Sequence, residues 1–585
     1  MRPLACLLAL ASLPSLTACS SDPSSPTTTT SGGTSASTST GTGGSGGAGG
    51  GSGGDGAAPQ GPVTGLVTHY AYAVDLAAKQ AHSAISVAVE APGGDCFTTA
   101  CAPTAVTAAT WNGEPAKSLS LGGGEVTACG AIGVGAGKPL VIEADVALSE
   151  KTFFGLDVGL SHRKDMEGGT FRYLLSWVGG CDRFGPCDDD PSRLGTFHFE
   201  VTHAPDEVVL CAGTLTPGDK VTQCDLTGTL APTYSAFAVA TDTLWKKSAY
   251  GSAAGVDLVF YEVPSGKLAA TLEKPSVSAY LTWITTLLGP FPYGKELRIA
   301  GGPTAWLGFE HPANIVIKED LPSLSMAYKN PTMHVFMHEV AHQWAGDRST
   351  LAATADFVWK EATAEYLSYV FEDEHRPPAE AAASLFYWDS ISLQSAHYPR
   401  PTDDPPPAVQ SFYGDVYGPG PMVLYVQLEP LIGRDKVLAG IAHFLEQPGA
   451  RSVDDLRKAF EEISGKSLKP YFDAWVFGEG APEWPTFAVG TEIVGSEVTI
   501  TVTQQNASGK IYGCAIEVEV GGATMSATGL VDFGLDPQSP VATSKVMLPE
   551  AIVSTVIDPH HRVIGRLPKP PGPTPPPIKL PVWPL

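Results

Sequence analysis

The chain has 585 residues, of which 43% are hydrophobic, which is enough to build several buried cores and about three domains. It carries 61 acidic and 36 basic residues, giving a formal net charge of −25. This balance argues against a nucleic-acid partner, because binding a phosphate backbone requires a basic surface that releases counterions.

The N-terminus, residues 1–19, has the organisation of a bacterial lipoprotein signal peptide. Arg2 precedes an apolar stretch over residues 4–13, which is too short to span a membrane. The segment ends in Leu-Thr-Ala-Cys, which resembles the lipobox whose cysteine, here Cys19, is lipidated and becomes the mature N-terminus. An ordinary secretory signal that happens to contain a cysteine is the alternative. The pattern predicts an exported lipoprotein of the cell envelope, and Ser20 favours the outer membrane or cell surface.

Residues 20–62 are almost entirely Ser, Thr, Gly, Ala and Pro and contain no Lys or Arg. Such a composition cannot bury enough apolar surface to offset the entropy of ordering the chain. We expect a flexible tether that holds the following domains away from a membrane.

Residues 63–260 predict an antiparallel β domain. Short alternating runs such as "KPLVIEADVAL" and "TFHFEVTH" recur there, separated by Gly and Pro. Seven cysteines fall within this region, which in an exported protein indicates disulfides. Sequence does not determine the pairing, but short loops favour three bonds: Cys96–Cys101, Cys181–Cys187 and Cys211–Cys224.

Helical periodicity dominates residues 261–482, in segments such as "SVSAYLTWITTLLG" and "FVWKEATAEYLSYVFEDE". Alternation returns over 483–567 and predicts a small β-sandwich, and the proline-rich tail, 568–585, is expected to be extended. The predicted fold class is therefore a multidomain α+β protein with β domains on both sides of a mainly helical one.

The segment "FMHEVAHQWAGD" carries the most specific chemical signal in the chain. On a helix, His338 and His342 lie one turn apart on one face, so that both imidazoles can bind a single zinc ion. Glu339, beside the pair, can take a proton from water. His-Glu-x-x-His also arises by chance in unrelated helices. However, Glu361 follows His342 by nineteen residues on a second predicted helix, where it can complete the three protein ligands of a catalytic zinc site.

Together, "MHEVAHQWAGD" and "WKEATAEY" resemble the membrane alanyl aminopeptidase family of zinc metallopeptidases, gluzincins with thermolysin-like catalytic domains. The family pattern is His-Glu-x-x-His, eighteen residues, then Glu, and the chain keeps this spacing. "LGFEHP" falls where the family has its Gly-x-Met-Glu-Asn exopeptidase motif. "DVYGPGPMVLYVQLEPLIG" resembles the family segment in which a tyrosine precedes a glycine and a helix. The similarity extends from about residue 181 to 485.

The resemblance implies a thermolysin-like α/β catalytic domain over 261–482, one Zn²⁺ per chain and peptide substrates. Residue by residue, it implies zinc ligands at His338, His342 and Glu361, a general base at Glu339, an oxyanion donor at Tyr417, and a site for the substrate's free α-amine at Glu310 with Gly308. Two neighbours of Glu310 depart from the family motif: Phe309 replaces methionine and His311 replaces asparagine.

Several residues near these motifs allow more than one interpretation. Tyr413 could replace Tyr417 as oxyanion donor, and Glu365 could either support a ligand or be solvated. We expect His334 on the helix surface, Trp306 packed in the core, and the cluster His560, His561 and Arg562 in a solvated turn. "ANIVIK", residues 313–318, is expected to be the edge strand of the catalytic sheet. A rival function is a surface lipoprotein of the same fold that is catalytically retired, or does not act on peptides, and serves as a binding module.

Overall fold

A computed structural model describes residues 63–89, 94–102, 105–111, 113–130, 139–150, 158–324, 330–404, 407 and 420–567. The signal peptide, Cys19, the tether, the proline-rich tail, Tyr413 and Tyr417 lie outside this part of the chain, so the predictions made for them remain predictions. Within the described ranges, no helix is both long and apolar enough to cross a membrane.

The N-terminal region is built from β-strands, as predicted. The strands are β1 (Gly65–Asp75), β2 (Gln80–Val89), β3 (Cys96–Ala100), β4 (Ala105–Trp111), β5 (Glu114–Pro115), β6 (Ser118–Gly122), β7 (Glu125–Cys129), β8 (Pro139–Ala147), β9 (Gly159–Lys164), β10 (Thr170–Leu175), β11 (Leu194–Thr202), β12 (Val208–Cys211), β13 (Thr214–Thr216), β14 (Val221–Pro232) and β15 (Ala238–Asp242).

These strands form three sheets with the orders β13-β14-β11-β1-β2-β8-β4-β5, β12-β15-β10-β9 and β3-β7-β6. Neighbours are antiparallel except β1 and β11, which run parallel. Alternate residues of β1, including Tyr70 and Tyr72, are buried, as the two-residue period of a strand requires. Both tyrosine rings contact Phe237, so this face of the sheet lies on an aromatic core.

Three disulfides lie among the described residues of this region. The predicted bonds Cys181–Cys187 and Cys211–Cys224 are confirmed. The predicted Cys96–Cys101 bond is wrong, because Cys96 is bonded to Cys129. Cys96 and Cys129 are directly opposite each other in the antiparallel pair β3 and β7, whereas Cys101 follows the end of β3.

The catalytic sheet has five strands in the order β16-β17-β18-β20-β19: β16 (Lys246–Ala253), β17 (Val256–Glu262), β18 (Glu296–Gly302), β19 (Gly308–His311) and β20 (Asn314–Lys318). β16 and most of β17 precede residue 261, the predicted start of the helical region. β20 is interior to the sheet, so the expectation that "ANIVIK" forms the edge was wrong. The edge strand is β19, which pairs antiparallel with β20 and carries Glu310 itself.

The described helices are α1 (Thr233–Ala236), α2 (Leu268–Thr271), α3 (Lys274–Leu288), α4 (Pro331–Ala341), α5 (Phe357–His375), α6 (Pro378–Ser392), α7 (Met422–Ile432), α8 (Arg434–Phe444), α9 (Val453–Ser464) and α10 (Lys469–Trp475). Of these, α3 packs against β16, and α4 packs against β19 and β20. α4 begins with Asn330 accepting a hydrogen bond from the backbone N–H of Met333, and Pro331 occupies its first turn. α5 is buried on all sides along residues 357–372, because α4, α6 and α7 all pack against it.

The C-terminal region forms two three-stranded sheets, which confirms the predicted β domain. Its strands are β25 (Thr486–Val494), β26 (Glu497–Gln505), β27 (Cys514–Gly521), β28 (Ser526–Gly534), β29 (Val541–Met547) and β30 (Ser554–Ile557), after the short strands β21 (Ser349–Leu351), β22 (Arg400–Pro401), β23 (Gly449–Arg451) and β24 (Phe477–Gly478). The sheet orders are β25-β26-β29 and β28-β27-β30.

The predicted solvated turn at the end of this region is wrong for two of its three residues. Arg562 donates to the Glu429 carboxylate on α7 at 2.5 Å, and His561 lies 3.2 Å from Asp389 on α6. Only His560 is largely exposed. The turn therefore attaches the β-sandwich to the helical region.

Candidate metal centre and active site

The three predicted metal ligands converge on one point. His338 Nε2 lies 3.0 Å from His342 Nε2 and 3.2 Å from the Glu361 Oε2 atom, and His342 Nε2 lies 3.4 Å from that same oxygen. A zinc ion bound tetrahedrally at about 2.05 Å would separate its ligand atoms by about 3.3 Å. Two imidazoles and a carboxylate are also the donor types that zinc prefers, so the residues fit this ion in both chemistry and size.

Hydrogen bonds at the far side of each imidazole fix its orientation. His338 Nδ1 lies 3.0 Å from Glu365 Oε2, and His342 Nδ1 lies 2.9 Å from the Ala345 carbonyl oxygen. Each contact suits a protonated Nδ1 that donates, which leaves Nε2 with its lone pair toward Glu361. Acceptors of this kind hold the tautomer and the ring angle of metal-binding histidines. Glu365 is therefore buried and orients the predicted ligand His338.

Glu365 is itself held in a buried polar network. Its Oε1 atom accepts hydrogen bonds from Trp388 at 2.5 Å and Ser384 at 3.3 Å, and lies 3.1 Å from His334 Nε2. The expectation that His334 is on the helix surface was wrong: it is 5% exposed, and its Nδ1 lies 2.8 Å from Glu372. Burial opposes a charge on His334, but the two carboxylates outweigh burial and raise its pKa to about 10.

The predicted general base, Glu339, lies between the ligands and strand β19. Ligand atoms of Glu339, Glu310 and His342 all fall within 4.8 Å of one another. Burial raises the pKa of Glu339 to about 8, with His338 opposing and Glu310 adding to the shift. A side chain at Gly308 would meet this base, since a Cβ there would lie 2.4 Å from Glu339 Oε1 and 2.7 Å from Val335. Gly308 thus makes room for the base.

Glu310 has a partner that sequence reasoning missed. Lys360, on α5, places its Nζ atom 2.8 Å from Glu310 Oε1 and 2.6 Å from Glu361 Oε1. Burial would raise the pKa of Glu310, but Lys360 and His342 outweigh burial and hold that pKa below its ordinary value. The sequence "WKEATAEY" shows a lysine directly before the predicted ligand, but the burial of this lysine depends on the helices that pack against α5.

The side chains of the two residues that depart from the family motif, Phe309 and His311, point away from the face of β19 that carries Glu310. Phe309 and His311 lie on the opposite face of β19 and stack on each other with centroids 5.0 Å apart. His311 Nδ1 lies 2.8 Å from the Ser235 carbonyl oxygen, which suits a donated hydrogen bond, and its Nε2 accepts from the Tyr173 hydroxyl. Burial lowers the pKa of His311 to about 4, so the ring is neutral at pH 7.

These substitutions therefore connect β19 to the N-terminal region and leave the face that carries Glu310 unchanged. Trp306 packs on the rings of Trp177 and Phe309, as predicted.

The residues after the second histidine hold the strand against the helix. Gln343 accepts a hydrogen bond from the Ala313 backbone N–H at 3.0 Å, and its amide donates to the His311 carbonyl oxygen and to Asp347. Trp344 is fully buried against Phe291. The residues that extend the match beyond His-Glu-x-x-His therefore have a structural role, since they attach helix α4 to the neighbouring sheet.

Comparison with known proteins assigns this part of the chain to a family. Residues 309–475 match the peptidase family M1 domain, a range that includes all three predicted ligands and Glu339. This peptidase M1 domain within the chain, together with the relatives below, confirms the resemblance to the membrane alanyl aminopeptidases.

Individual relatives agree with this family. The chain is 26% identical to aminopeptidase N of Lactococcus lactis subsp. lactis (strain IL1403) over 253 residues, covering 40% of the chain and 29% of the relative. It is 25% identical to probable aminopeptidase 1 of Saccharolobus solfataricus over 230 residues, covering 38% and 29% respectively. The chain thus spans 29% of the length of these two curated relatives.

A solved structure has the same fold over most of the chain. Legionella pneumophila aminopeptidase A, crystallised in complex with aspartic acid, superposes with a TM-score of 0.69, covering 87% of this chain and 60% of that one. At 16% identity, this likeness establishes the fold, including the β domain, the mixed α/β domain and the C-terminal sheets.

Proposed function

We propose that the chain is a zinc-dependent aminopeptidase that hydrolyses N-terminal residues from peptides. The observation that carries the proposal is the convergence of His338, His342 and Glu361, within an M1 domain, beside a buried carboxylate at Glu339. The relatives named above, which are described as aminopeptidases, support the substrate class.

His338, His342 and Glu361 would hold the metal. The chemistry that zinc supplies in such a site is polarisation of the scissile carbonyl and acidification of water toward a pKa of ~7. Glu339 takes the proton of the attacking water and returns it to the departing amine. A carboxylate this close to the predicted ligands can transfer the proton in both directions. By the family resemblance, Tyr417 donates a hydrogen bond to the developing oxyanion, with Tyr413 as the alternative.

Strand β19 supports binding of an extended substrate. As the edge strand of the sheet, it offers backbone groups with which a peptide can pair, and this pairing would set the register of the scissile bond. Glu310 lies on this strand, close to Glu339, where it would face the N-terminal end of the substrate.

We also propose that the protein is anchored in the cell envelope by lipid on Cys19 and stands away from the membrane on residues 20–62. The lipobox resemblance and the composition of the tether support this location.

Mass spectrometry of a short peptide incubated with zinc-loaded protein tests the proposed activity. We expect successive loss of N-terminal residues. Glu339→Gln should keep the zinc and lose about 100-fold or more in turnover, because the water no longer has a base. A wild-type protein that binds zinc but cleaves no peptide would reject the peptidase and favour the binding-module alternative.

A further inference from the structure

The carboxylate proposed to receive the substrate's α-amine already has an ammonium group beside it. Lys360 Nζ lies 2.8 Å from Glu310 Oε1, and the lysine side chain is fully buried. The contact is therefore not a screened surface ion pair, and the lysine cannot turn into solvent without breaking the packing around it.

The fold makes specific room for this lysine. Gly346 has φ +140°, and a Cβ at this position would lie 2.8 Å from the Cε atom of Lys360 and 3.3 Å from Cδ and Cγ. The rings of Trp177 and Phe357 each lie with their centroids 5.7 Å from the Lys360 Nζ atom. The side chain passes a glycine and its ammonium lies near two aromatic rings, and these contacts hold the ammonium in one place.

The acidic groups around Lys360 explain why it is tolerated. Its ammonium faces Glu310 and Glu361 directly, and buried Asp347 interacts with it electrostatically. The negative charge of Glu310 is therefore already compensated by Lys360 before any substrate binds. An incoming α-ammonium would be the second cation at that carboxylate and would be repelled by the first, so it gains less than it would at an uncompensated carboxylate.

We propose that Lys360 is a specificity-determining residue that neutralises Glu310 from within the chain. The site then accepts substrates that lack a charged N-terminal nitrogen nearly as well as substrates with a free amine. This inference rests on the proposed peptidase function and concerns only how strongly the site requires a free N-terminus.

A pair of substrates isolates the α-amine. Leucine 4-nitroanilide and 4-methylpentanoyl 4-nitroanilide differ only in that amine, so the ratio of their kcat/KM values measures its contribution without added bulk. Because both are measured on the same enzyme sample, zinc occupancy and active fraction cancel. We expect a ratio within about tenfold for the wild type, since an ammonium at a compensated carboxylate gains about 1.4 kcal/mol or less.

Lys360→Met keeps the length of the side chain and removes its charge. This variant should raise the ratio about tenfold or more, whereas Lys469→Met, at an exposed lysine, should leave it unchanged. In a Glu310→Gln background, Lys360→Met should no longer change the ratio, because the lysine acts through Glu310. A merely structural role for Lys360 would alter both substrates equally and would not depend on Glu310.

A wild-type ratio above about 100-fold overturns the inference, as does an effect of Lys360→Met that persists without Glu310. These outcomes leave the peptidase function intact, and the wild-type ratio decides even if Lys360→Met does not fold. If neither substrate is hydrolysed, the proposed function fails separately. Calorimetry of zinc-loaded protein with leucinamide and 4-methylpentanamide then measures the same preference, and a binding ratio above about 100-fold overturns the inference.

Discussion

Gly308 determines, at the scale of single residues, where Glu339, the proposed general base, can lie. Its missing side chain lets Glu339 rest against β19, and a Cβ would overlap both Glu339 and Val335. We expect Gly308→Ala to displace the base and lower kcat by about 10- to 100-fold with zinc content unchanged, because base catalysis requires hydrogen-bond reach to the water. Steady-state kinetics and metal analysis of one preparation check this.

Gly490 is the matched control, because a Cβ there meets nothing within 4 Å. Gly490→Ala should behave as wild type. Unchanged kcat in Gly308→Ala would show that Glu339 has other room and that the glycine does not set its position.

Glu365 orients the His338 ring through Nδ1, so removing its carboxylate should lower the affinity of the site for zinc. We expect Glu365→Gln to weaken zinc binding by about 10- to 100-fold, since removing the group that orients a histidine ligand costs affinity of this order. Competition with a chromophoric chelator measures the affinity. Glu374→Gln, at an exposed glutamate on the same helix, should leave it unchanged. Equal zinc affinities for the two variants would show that Glu365 does not contribute to zinc binding.

At this scale, the cluster of His338, His342 and Glu361 could be predicted from sequence because their spacing follows directly from helix geometry. His338 and His342 share a face whatever surrounds the helix, and Glu361 is recognised by its distance along the chain. His334 and Lys360 were not predicted, because their burial depends on which helices pack against α4 and α5. Local periodicity does not contain that information.

At the scale of elements, β19 is held in place by its far face. His311 connects this strand to Ser235 and Tyr173, and it stays neutral because burial lowers its pKa to about 4. An unfolded chain binds a proton at histidine below about pH 6.5, whereas the folded chain does so only near pH 4. This depressed pKa therefore contributes stability that is present above pH 6.5 and is lost as the pH falls toward 4, by about 3 kcal/mol.

The prediction is that His311→Gln shows a smaller loss of stability between pH 7 and pH 5 than the wild type. Urea midpoints at the two pH values measure it, and His375→Gln, at an exposed histidine, should keep the wild-type difference. Parallel behaviour of His311→Gln and wild type would mean that His311 is not the buried neutral group described above.

Element pairing was the least predictable part of the fold. Individual strands follow from alternation, but the register that places Cys96 opposite Cys129 joins segments that are distant in sequence, so the short-loop rule selected Cys101 instead. The same limit applies to the catalytic sheet. The alternation in "ANIVIK" identified β20 as a strand, yet only the hydrogen bonds to β19 show that it is interior.

At the scale of the whole molecule, composition and periodicity were enough to predict β, mainly helical and β regions in the right order, and the family resemblance supplied the α/β character of the middle region. What they did not predict is how the last region attaches. The β-sandwich connects to the helical region through buried groups: Trp475 donates to the Gly513 carbonyl oxygen at 2.8 Å, and Gln427 accepts from the Ile564 backbone at 2.5 Å. Such contacts depend on the packed fold and leave no periodic signal.

The location of the molecule is tested at Cys19. Wild-type protein expressed in a diderm bacterium should partition into the detergent phase and sediment with membranes, because lipidation adds buried hydrocarbon that the described helices lack. Cys19→Ala should be released or remain unprocessed. Recovery of the wild type as a soluble secreted protein would reject the lipobox interpretation and leave the secretory signal.

Zinc titration of metal-free protein, with hydrolysis of an aminoacyl 4-nitroanilide recorded at each addition, tests the central claim most directly. If His338, His342 and Glu361 hold one catalytic ion, activity should rise in proportion to added zinc and reach its plateau at about one equivalent per chain. His342→Ala should show neither tight binding nor activity under the same titration. Full activity in the metal-free protein, or no activity at any zinc concentration, would contradict the account.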